Sequence, residues 1–325
     1  MDLSDSSVLI TGGAGFLGHQ LTLSLIAAGC NHVVIYSRDE HKHEKMREKF
    51  EEMGQTRQLR FILGDVCDPD RLRWAMRKCD YVIHAAALKI VPALQYNPMS
   101  AIDVNVNGWR NVVKAAVDNQ QPIKIVGVST DKAVMPINTY GKAKAMGEDL
   151  FINANVYSRD IKFSCVRYGN VIGSTSSLLD GLNPQLERPR LTHAEMTRFF
   201  ITVKDAADLV MFAMENMHGG EIFVPRCRSA YIRHVLRAVT GKADFDITGI
   251  RPGEKLNELL MHEFEGMRAV VRGKYIVILP ERPATADFPY IYPGRGEYLP
   301  ELRSNSLDCL MDTTEIAEVF KDERK

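Results

Sequence analysis

The 325-residue chain lacks most features of secreted, membrane or nucleic-acid-binding proteins. Its six cysteines are scattered and form no CxxC pair, which argues against a disulfide scaffold and against a zinc site. No apolar run reaches the roughly 18 residues that a membrane helix needs, and the N-terminus lacks the regions of a signal peptide. Basic and acidic residues both total 41, so no net charge favours nucleic acid or a membrane surface. The composition predicts a soluble, reduced, cytoplasmic protein without a metal.

What the chain does have is a regular alternation of short apolar runs and longer amphipathic ones. The short runs are rich in valine and isoleucine, as buried parallel strands are, and they cover residues 6–11, 32–37, 59–65, 80–87, 123–130 and 162–169. The helix-like stretches between them cover residues 17–29, 38–53, 69–78, 99–119 and 140–156. This alternation predicts an α/β fold with a doubly wound parallel sheet.

Beyond the sixth strand-like run the alternation fades, and proline and glycine become commoner. We interpret residues 1–171 as a Rossmann-type dinucleotide-binding domain to which the chain returns near 201–225. Residues 172–200 and 226–325 then form a smaller, C-terminal substrate-binding lobe. Ligands of such enzymes lie in the cleft between the two parts.

A glycine-rich turn follows the first predicted strand. The stretch "VLITGGAGFLG" places Gly12, Gly15 and Gly18 at the opening of a helix. Glycines there permit a tight turn and close approach of the backbone to a pyrophosphate, while the helix N-terminus supplies unpaired N–H groups. In this context the turn predicts a bound dinucleotide.

The end of the second predicted strand bears on the choice between NAD and NADP. An enzyme that prefers NAD usually has an acidic residue there, whereas Ser37 and Arg38 offer a hydroxyl and a guanidinium suited to a 2′-phosphate. The sequence therefore favours NADP. Asp39 and Glu40 follow at once, and a solvated helix start is the competing interpretation.

Tyr140 and Lys144 stand one helical turn apart, so their side chains share a face. This is the pair with which a nicotinamide-dependent dehydrogenase takes a proton from an alcohol. A free tyrosine has a pKa of ~10. A neighbouring ammonium and the nicotinamide ring would both favour the phenolate and so lower the pKa of Tyr140. Thr130, at the preceding strand end, can hydrogen-bond the substrate oxygen. Simple alcohol oxidation has no use for the adjacent Asp131 and Lys132.

Several stretches together carry a resemblance to a known family. They are "TGGAGFLG", "YSRDE", "HAAALKIVPALQYNP", "STDKAVMPINTYGKAK", "RYGNVIGS", "MTRFFIT" and "GIRPGEKLNE". The chain resembles the extended short-chain dehydrogenase/reductase superfamily, and within it the soluble, inverting UDP-N-acetylglucosamine 4,6-dehydratases of pseudaminic acid synthesis. The similarity extends from about residue 6 to residue 260.

The resemblance implies a use for the extra pair. Oxidation at carbon 4 by NADP gives a ketone that acidifies the hydrogen on carbon 5, after which water is lost across carbons 5 and 6 and the hydride returns to carbon 6. By similarity, Lys132 is the base at carbon 5 and Asp131 the acid for the departing hydroxyl. Lys132 can act as a base only if its pKa is lowered, and we expect the nearby Lys144 and partial desolvation to lower it.

The resemblance also implies a set of binding residues, a UDP-sugar substrate and a homo-oligomer. The cofactor set comprises Gly12, Ala14, Gly15, Phe16, Leu17, Gly18, Ser37, Arg38, Lys42, Asp65, Val66, Ala85, Ala86, Ala87, Tyr140, Lys144 and Val171. The substrate set comprises Lys89, Asn170, Arg198, Arg251 and Glu254. For the last two, a surface pair at i, i+3 is the competing interpretation. His84, which precedes the alanines, is interpreted as a packed histidine.

One departure leaves the outcome at carbon 5 open. After "NVIGS" the family usually continues Arg-Gly-Ser, but this chain has Thr175, Ser176 and Ser177. A retaining 4,6-dehydratase, a 5,6-dehydratase and a 4-epimerase are the alternatives, although a 4-epimerase would not need Asp131 and Lys132. A non-catalytic NADP-binding sensor is disfavoured because the Thr130, Tyr140 and Lys144 set is intact.

Overall fold

The structure is a computed structural model that describes residues 2–121, 123–174, 188–281 and 298–321. The departure from the family pattern at 175–177 lies outside these residues. Among the residues that are described, no helix combines the length and the apolar character needed to cross a membrane.

The strands of the first part follow the predicted runs closely. In chain order they are β1 Ser7–Thr11, β2 His32–Ser37, β3 Leu59–Leu63, β4 Tyr81–His84, β5 Ile123–Val128 and β6 Ile161–Val166. The later strands are β7 Asn170–Val171, β8 Arg190–Leu191, β9 Thr197–Ile201, β10 Ile222–Pro225, β11 Arg228–Tyr231, β12 Asp246–Ile247, β13 Leu259–Met261, β14 Ala269–Arg272, β15 Tyr275–Ile278 and β16 Leu302–Arg303.

Helices connect the strands and cover both faces of the sheet. They are α1 Phe16–Ala27, α2 Glu40–Glu52, α3 Pro69–Ala75, α4 Val91–Tyr96, α5 Pro98–Ile102, α6 Gly108–Asn119, α7 Thr139–Ala154, α8 Val203–Asn216, α9 Ile232–Thr240, α10 Glu263–Gly266 and α11 Thr313–Val319. A π-helical turn, Asp103–Asn107, joins α5 to α6, and a 3-10 turn, Asp131–Ala133, lies between β5 and α7.

The central sheet confirms the predicted fold class. Within the described residues it has nine strands in the order β14-β15-β10-β6-β5-β4-β1-β2-β3. The seven strands from β10 to β3 pair in parallel. The direction of winding reverses between β1 and β4, and in open sheets of this kind ligands bind at that reversal, beyond the carboxyl ends of the strands. The fold is a doubly wound, Rossmann-type α/β fold.

The edge of the sheet differs from the predicted division of the chain. The return near 201–225 corresponds to α8 and β10, but β14 and β15, assigned to the second lobe, also join the central sheet. They form an antiparallel hairpin whose turn contains Gly273 at φ +58°, a conformation that tight hairpin turns require. The sequence interpretation missed this hairpin because it looked for strands that alternate with helices, whereas β14 and β15 follow each other directly.

The second lobe has its own small core. A three-stranded sheet, β11-β9-β7, packs with α9 and α11, and its buried residues include Phe200, Leu236 and Phe320. Strand β9 therefore leads from this core back to α8 and the central sheet.

His84 is a packed residue, as predicted. It is 1% exposed, its Nδ1 lies 2.8 Å from Thr11 Oγ1, and its ring packs edge-on against Trp109. Burial, followed by the charge of Lys144, lowers the pKa of His84 to about 3. The imidazole is therefore neutral near neutral pH and takes part in the core.

Candidate active site

A long cleft of about 590 Å³ follows the carboxyl ends of the parallel strands. All predicted cofactor residues border it. So do Thr130, Lys132, Lys89 and Asn170, whereas Asp131, Arg198, Arg251 and Glu254 do not. The predicted cofactor residues thus border one and the same cleft, and their contact with a cofactor stays a prediction.

The glycine-rich turn has the shape that a pyrophosphate needs. Gly12 has φ +67°, and a Cβ atom there would lie 2.9 Å from the backbone of Ala86. A Cβ on Gly18 would lie 2.1 Å from the Gly13 carbonyl oxygen. Gly15 caps α1 without a side-chain hydrogen bond, so the first N–H groups of the helix remain available to an anion. These residues fit a dinucleotide.

Two cationic side chains, Arg38 and Lys42, follow the end of β2 and border the cleft. The side chains of Arg38 and Lys42 are 60% and 62% exposed. The Asp39 carboxylate, in contrast, caps α2 by accepting a hydrogen bond of 3.0 Å from the Lys42 N–H, and lies 3.2 Å from Lys42 Nζ. Asp39 also borders the cleft, so this carboxylate lies at the same end as the two cations.

Asp65 and Ser37 have partners within the protein. Asp65 accepts hydrogen bonds from the Cys67 N–H at 3.0 Å and from Arg38 at 3.3 Å, so it shapes its own turn while bordering the cleft. The Ser37 hydroxyl lies 2.6 Å from Nε2 of the buried His43. His43, which the sequence interpretation missed, therefore orients the hydroxyl at the proposed phosphate end.

Lys144 borders the cleft but is buried, with 3% of its surface exposed. Its ammonium group donates to the Val128 carbonyl and lies 4.7 Å from the centre of the Trp109 ring. Burial lowers its pKa to about 8, although Glu148 one turn further along α7 opposes the shift. In the absence of ligand this ammonium is held by β5.

The Tyr140 hydroxyl responds to a different lysine from the one predicted. Burial and the charge of Asp131 raise the pKa of Tyr140, and the charge of Lys132 and a hydrogen bond with Thr130 oppose that increase. The expected lowering by Lys144 is therefore wrong for the protein alone, because Lys144 points at the Val128 carbonyl.

Asp131 and Lys132 form a close ion pair beside Tyr140. Asp131 is fully buried, and its Oδ1 accepts hydrogen bonds from Thr130 Oγ1 at 2.8 Å and from Lys132 Nζ at 2.9 Å. Within the described parts of the chain, its Oδ2 has no hydrogen-bond partner. Lys132 Nζ also lies 3.4 Å from Asn170 Oδ1. The pair thus has one unoccupied carboxylate oxygen and one ammonium that reaches the cleft.

The expectation of a lowered pKa for Lys132 is wrong. Burial does lower it, but the carboxylates of Asp131 and Glu258 outweigh burial, and the pKa of Lys132 is raised. Glu258, 3.8 Å from Lys132 Nζ, was missed by the sequence interpretation. Its only signal was an acidic residue directly before the apolar "LLM" of a buried strand.

Arg198, Arg251 and Glu254 form a supporting layer behind the cleft. Arg198 is 3% exposed and donates to the carbonyls of Thr197, Leu256 and Lys255 at 2.7 to 3.1 Å. It also lies 3.5 Å from Glu254, whose other oxygen accepts from the Arg251 N–H. In this arrangement Arg198 orders the "RPGEK" loop, and contact of these three residues with a substrate stays a prediction.

A buried arginine connects the catalytic helix with the second lobe. Arg167, after β6, donates to both carboxylate oxygens of Glu148 on α7 and to both of Glu265 on α10 at 2.6 to 3.1 Å. It also donates to the Leu260 carbonyl on β13. All three charged residues are at most 5% exposed, so this cluster links α7 firmly to the segment that carries Glu258.

In the part of the chain that the structure describes, no group of three or more histidine, cysteine, aspartate or glutamate side chains could hold a metal ion. The arrangement at the cleft instead combines a glycine-rich turn that fits a dinucleotide, Tyr140 and Lys144 on one helix, and the Asp131–Lys132 ion pair.

Comparison with known proteins places these features in a family. Residues 8–280 match the family described as "Polysaccharide biosynthesis protein". The UDP-N-acetylglucosamine 4,6-dehydratase (inverting) of Campylobacter jejuni serotype O:23/36 is 39% identical over 280 residues, covering 81% of this chain and 82% of that protein. The UDP-glucose 4-epimerase of Rickettsia bellii is 37% identical over 284 residues, covering 83% and 82%. The X-ray structure of Pen from Bacillus thuringiensis superposes with a TM-score of 0.87 at 28% identity, covering 99% of this chain and all of that one.

Proposed function

The chain belongs to the polysaccharide biosynthesis protein family, and from this premise we propose that it is an NADP-dependent UDP-N-acetylglucosamine 4,6-dehydratase. The observation that carries the proposal is the Asp131–Lys132 ion pair, in which Asp131 is hydrogen-bonded to Thr130 and Lys132 borders the cleft together with Tyr140. A dehydration needs an acid and a base in addition to the groups that move a hydride.

The glycine cradle, Arg38 and Lys42 would hold the dinucleotide. Bound NADP would supply the hydride acceptor for carbon 4 and the hydride donor for carbon 6. Tyr140 would take the proton of the 4-hydroxyl, and its buried position would leave it little competition from water.

The ion pair provides both remaining groups through one proton transfer. When a proton moves from Lys132 Nζ to Asp131 Oδ1, which are 2.9 Å apart, an N–H bond breaks and an O–H bond forms. The products are a neutral carboxylic acid and a neutral amine. A substrate that covers the site and excludes water would favour this neutral pair, because burial disfavours charged forms.

Elimination then proceeds with every atom accounted for. Lys132 removes the proton from carbon 5, the electron pair of that bond forms the double bond between carbons 5 and 6, and the C6–O bond breaks. Asp131 protonates the departing oxygen, so water leaves. Lys89 and Asn170 border the same cleft and are proposed to contact the sugar nucleotide, while Arg198, Arg251 and Glu254 support its UDP end. We propose inversion at carbon 5, by likeness to the Campylobacter jejuni relative.

A UDP-sugar 4-epimerase is the second candidate, since a relative of almost equal identity has that name. Epimerisation at carbon 4 requires Tyr140 and a hydride carrier but no acid/base pair for carbons 5 and 6. The buried Asp131–Lys132 pair is therefore costly to maintain without a dehydration, which favours the dehydratase. We also propose a cytoplasmic homo-oligomer, testable by fractionation and by light scattering of the purified protein.

The function can be tested by incubating the purified protein with UDP-N-acetylglucosamine in heavy water and following the sugar by proton NMR. A new 6-methyl singlet with deuterium at carbon 5 is expected. A UDP-N-acetylgalactosamine product without a methyl signal would identify an epimerase. Lys132→Ala is expected to lose methyl formation and retain cofactor binding; full activity in this variant would remove Lys132 from the mechanism.

A further inference from the structure

Glu258 is a buried carboxylate that faces the dehydration pair from the second lobe. Its side chain is 4% exposed, with Oε1 3.8 Å from Lys132 Nζ and Oε2 3.8 Å from Lys255 Nζ. In the described part of the protein, Oε2 accepts no hydrogen bond. A buried carboxylate with an unbonded oxygen destabilises the folded protein unless nearby positive charge compensates it.

The backbone of Glu258 is held on both sides by one serine. The Glu258 N–H donates to Ser304 Oγ, and the Ser304 N–H donates to the Glu258 carbonyl, each at 2.9 Å. Ser304 Oγ lies 2.6 Å from Thr197 Oγ1. Since Ser304 and Thr197 are completely buried, Glu258 has little freedom to move away from Lys132.

We propose that Glu258 is a positioning residue that controls when Lys132 acts as the base at carbon 5. This inference rests on the proposed dehydration. Lys132 gains positive charge as it takes the proton from carbon 5, and an anion fixed 3.8 Å away stabilises that charge as it develops. The same anion also keeps Lys132 protonated at rest.

The charges around Glu258 make this effect specific to Lys132. The groups that face it are Asp131 and Lys132 on the 3-10 turn, Arg198 on β9 and Lys255 on the "RPGEK" loop. Burial raises the pKa of Glu258, while Lys132, Arg198 and Lys255 oppose that increase. The charge of Lys132 in turn lowers the pKa of Tyr140, whereas Glu258 does not act directly on that pKa.

The sign of the effect follows from the charges. Without the Glu258 anion, the pKa of Lys132 falls, so the neutral amine exists at lower pH. In the proposed elimination the Asp131–Lys132 pair holds one proton in total, so the rate of carbon 5 deprotonation rises with pH as the doubly protonated pair loses its second proton. In Glu258→Gln we therefore expect this rising limb to move to lower pH by about one to three units, the range for a charge at such a distance. We also expect a lower plateau, because the amine is a weaker base and its charge is less stabilised.

The experiment compares wild type, Glu258→Gln and Glu258→Asp across pH, with two readouts from each reaction. The first is deuterium entry at carbon 5 of UDP-N-acetylglucosamine, and the second is transient reduction of the bound cofactor by the substrate. The rising limb for deuterium entry is expected to shift to lower pH in Glu258→Gln. In Glu258→Asp, which keeps the carboxylate but holds it further from Lys132, the limb should lie between those of wild type and Glu258→Gln. The pH dependence of cofactor reduction should stay unchanged.

The outcomes separate the two proposals. A lower plateau with an unmoved limb would assign Glu258 a purely structural role and overturn the inference. If Glu258→Gln does not fold, as judged by NADP titration, Glu258→Asp decides in the same way. If wild-type protein transforms no nucleotide sugar, the dehydratase proposal itself fails, and the role of Glu258 fails with it.

Discussion

Replacing Arg38 by alanine should weaken NADP binding and leave NAD binding unchanged. The guanidinium lies at the end of β2, 60% exposed and 3.3 Å from Asp65. A charge-assisted hydrogen bond to a phosphate contributes about 1.5–3 kcal/mol. Solvent screening and the loss of the Asp65 pair, itself about 0–1 kcal/mol, reduce this to about 1–2 kcal/mol. Binding of NADP should then weaken about 5- to 30-fold.

The measurement is a titration of each dinucleotide by calorimetry at two salt concentrations. NAD lacks the 2′-phosphate, so its affinity should be the same in wild type and Arg38→Ala. Arg47→Ala is a matched control on α2, the helix that follows Arg38, because Arg47 pairs with Glu44 and does not border the cleft. The loss for NADP should shrink at high salt, since exposed charges are screened.

Two results would refute this reasoning. If wild type binds NAD more tightly than NADP, the assignment of Arg38 and Lys42 to a 2′-phosphate is wrong. If Arg38→Ala weakens both dinucleotides equally, the residue acts through the turn at Asp65 and contributes no selectivity.

Two further predictions concern stability. His84 has a folded pKa of about 3, below its unfolded pKa of ~6.5. The stability that neutral His84 contributes is therefore fully present above the unfolded pKa and is lost as pH falls towards the folded pKa. Urea unfolding should show a loss of about 2 kcal/mol between pH 7 and pH 5, and His84→Gln should lose that part of the slope; an unchanged slope would contradict a neutral buried ring. Glu148→Gln should destabilise the protein by about 3–5 kcal/mol, because it leaves the Arg167 charge partly uncompensated. An unfolding midpoint equal to wild type would show that Glu265 alone suffices for Arg167.

The first half of the fold was predictable because its strands carry their own signal. Five of the first six strands are short apolar runs that are largely buried, β3 at the edge of the sheet is only partly buried, and the predicted bounds differ from the observed ones by a few residues. The glycine turn and the Tyr140–Lys144 spacing are equally local. The predicted cofactor wall of the cleft followed from these patterns together with the family resemblance.

What could not be predicted depends on contacts between distant segments. Glu258 meets Lys132 across more than a hundred residues, and only folding places the two charges together. The direction of the Lys132 pKa shift was wrong for the same reason, since the sequence shows the cation Lys144 nearby but not the second carboxylate. Arg198 lies in a motif in which a guanidinium would suit a phosphate, but in the structure this guanidinium donates its hydrogen bonds to carbonyl groups of its own lobe.

The Arg167 cluster fixes the positions of Tyr140 and Glu258 relative to each other before a substrate binds. Because one guanidinium joins α7, α10 and β13, Tyr140 on the first lobe and Glu258 on the second are preorganised by folding. Their separation does not depend on a ligand drawing the lobes together. The free energy of ordering these groups is spent when the chain folds, so binding energy from the nucleotide remains available for distorting the sugar towards elimination.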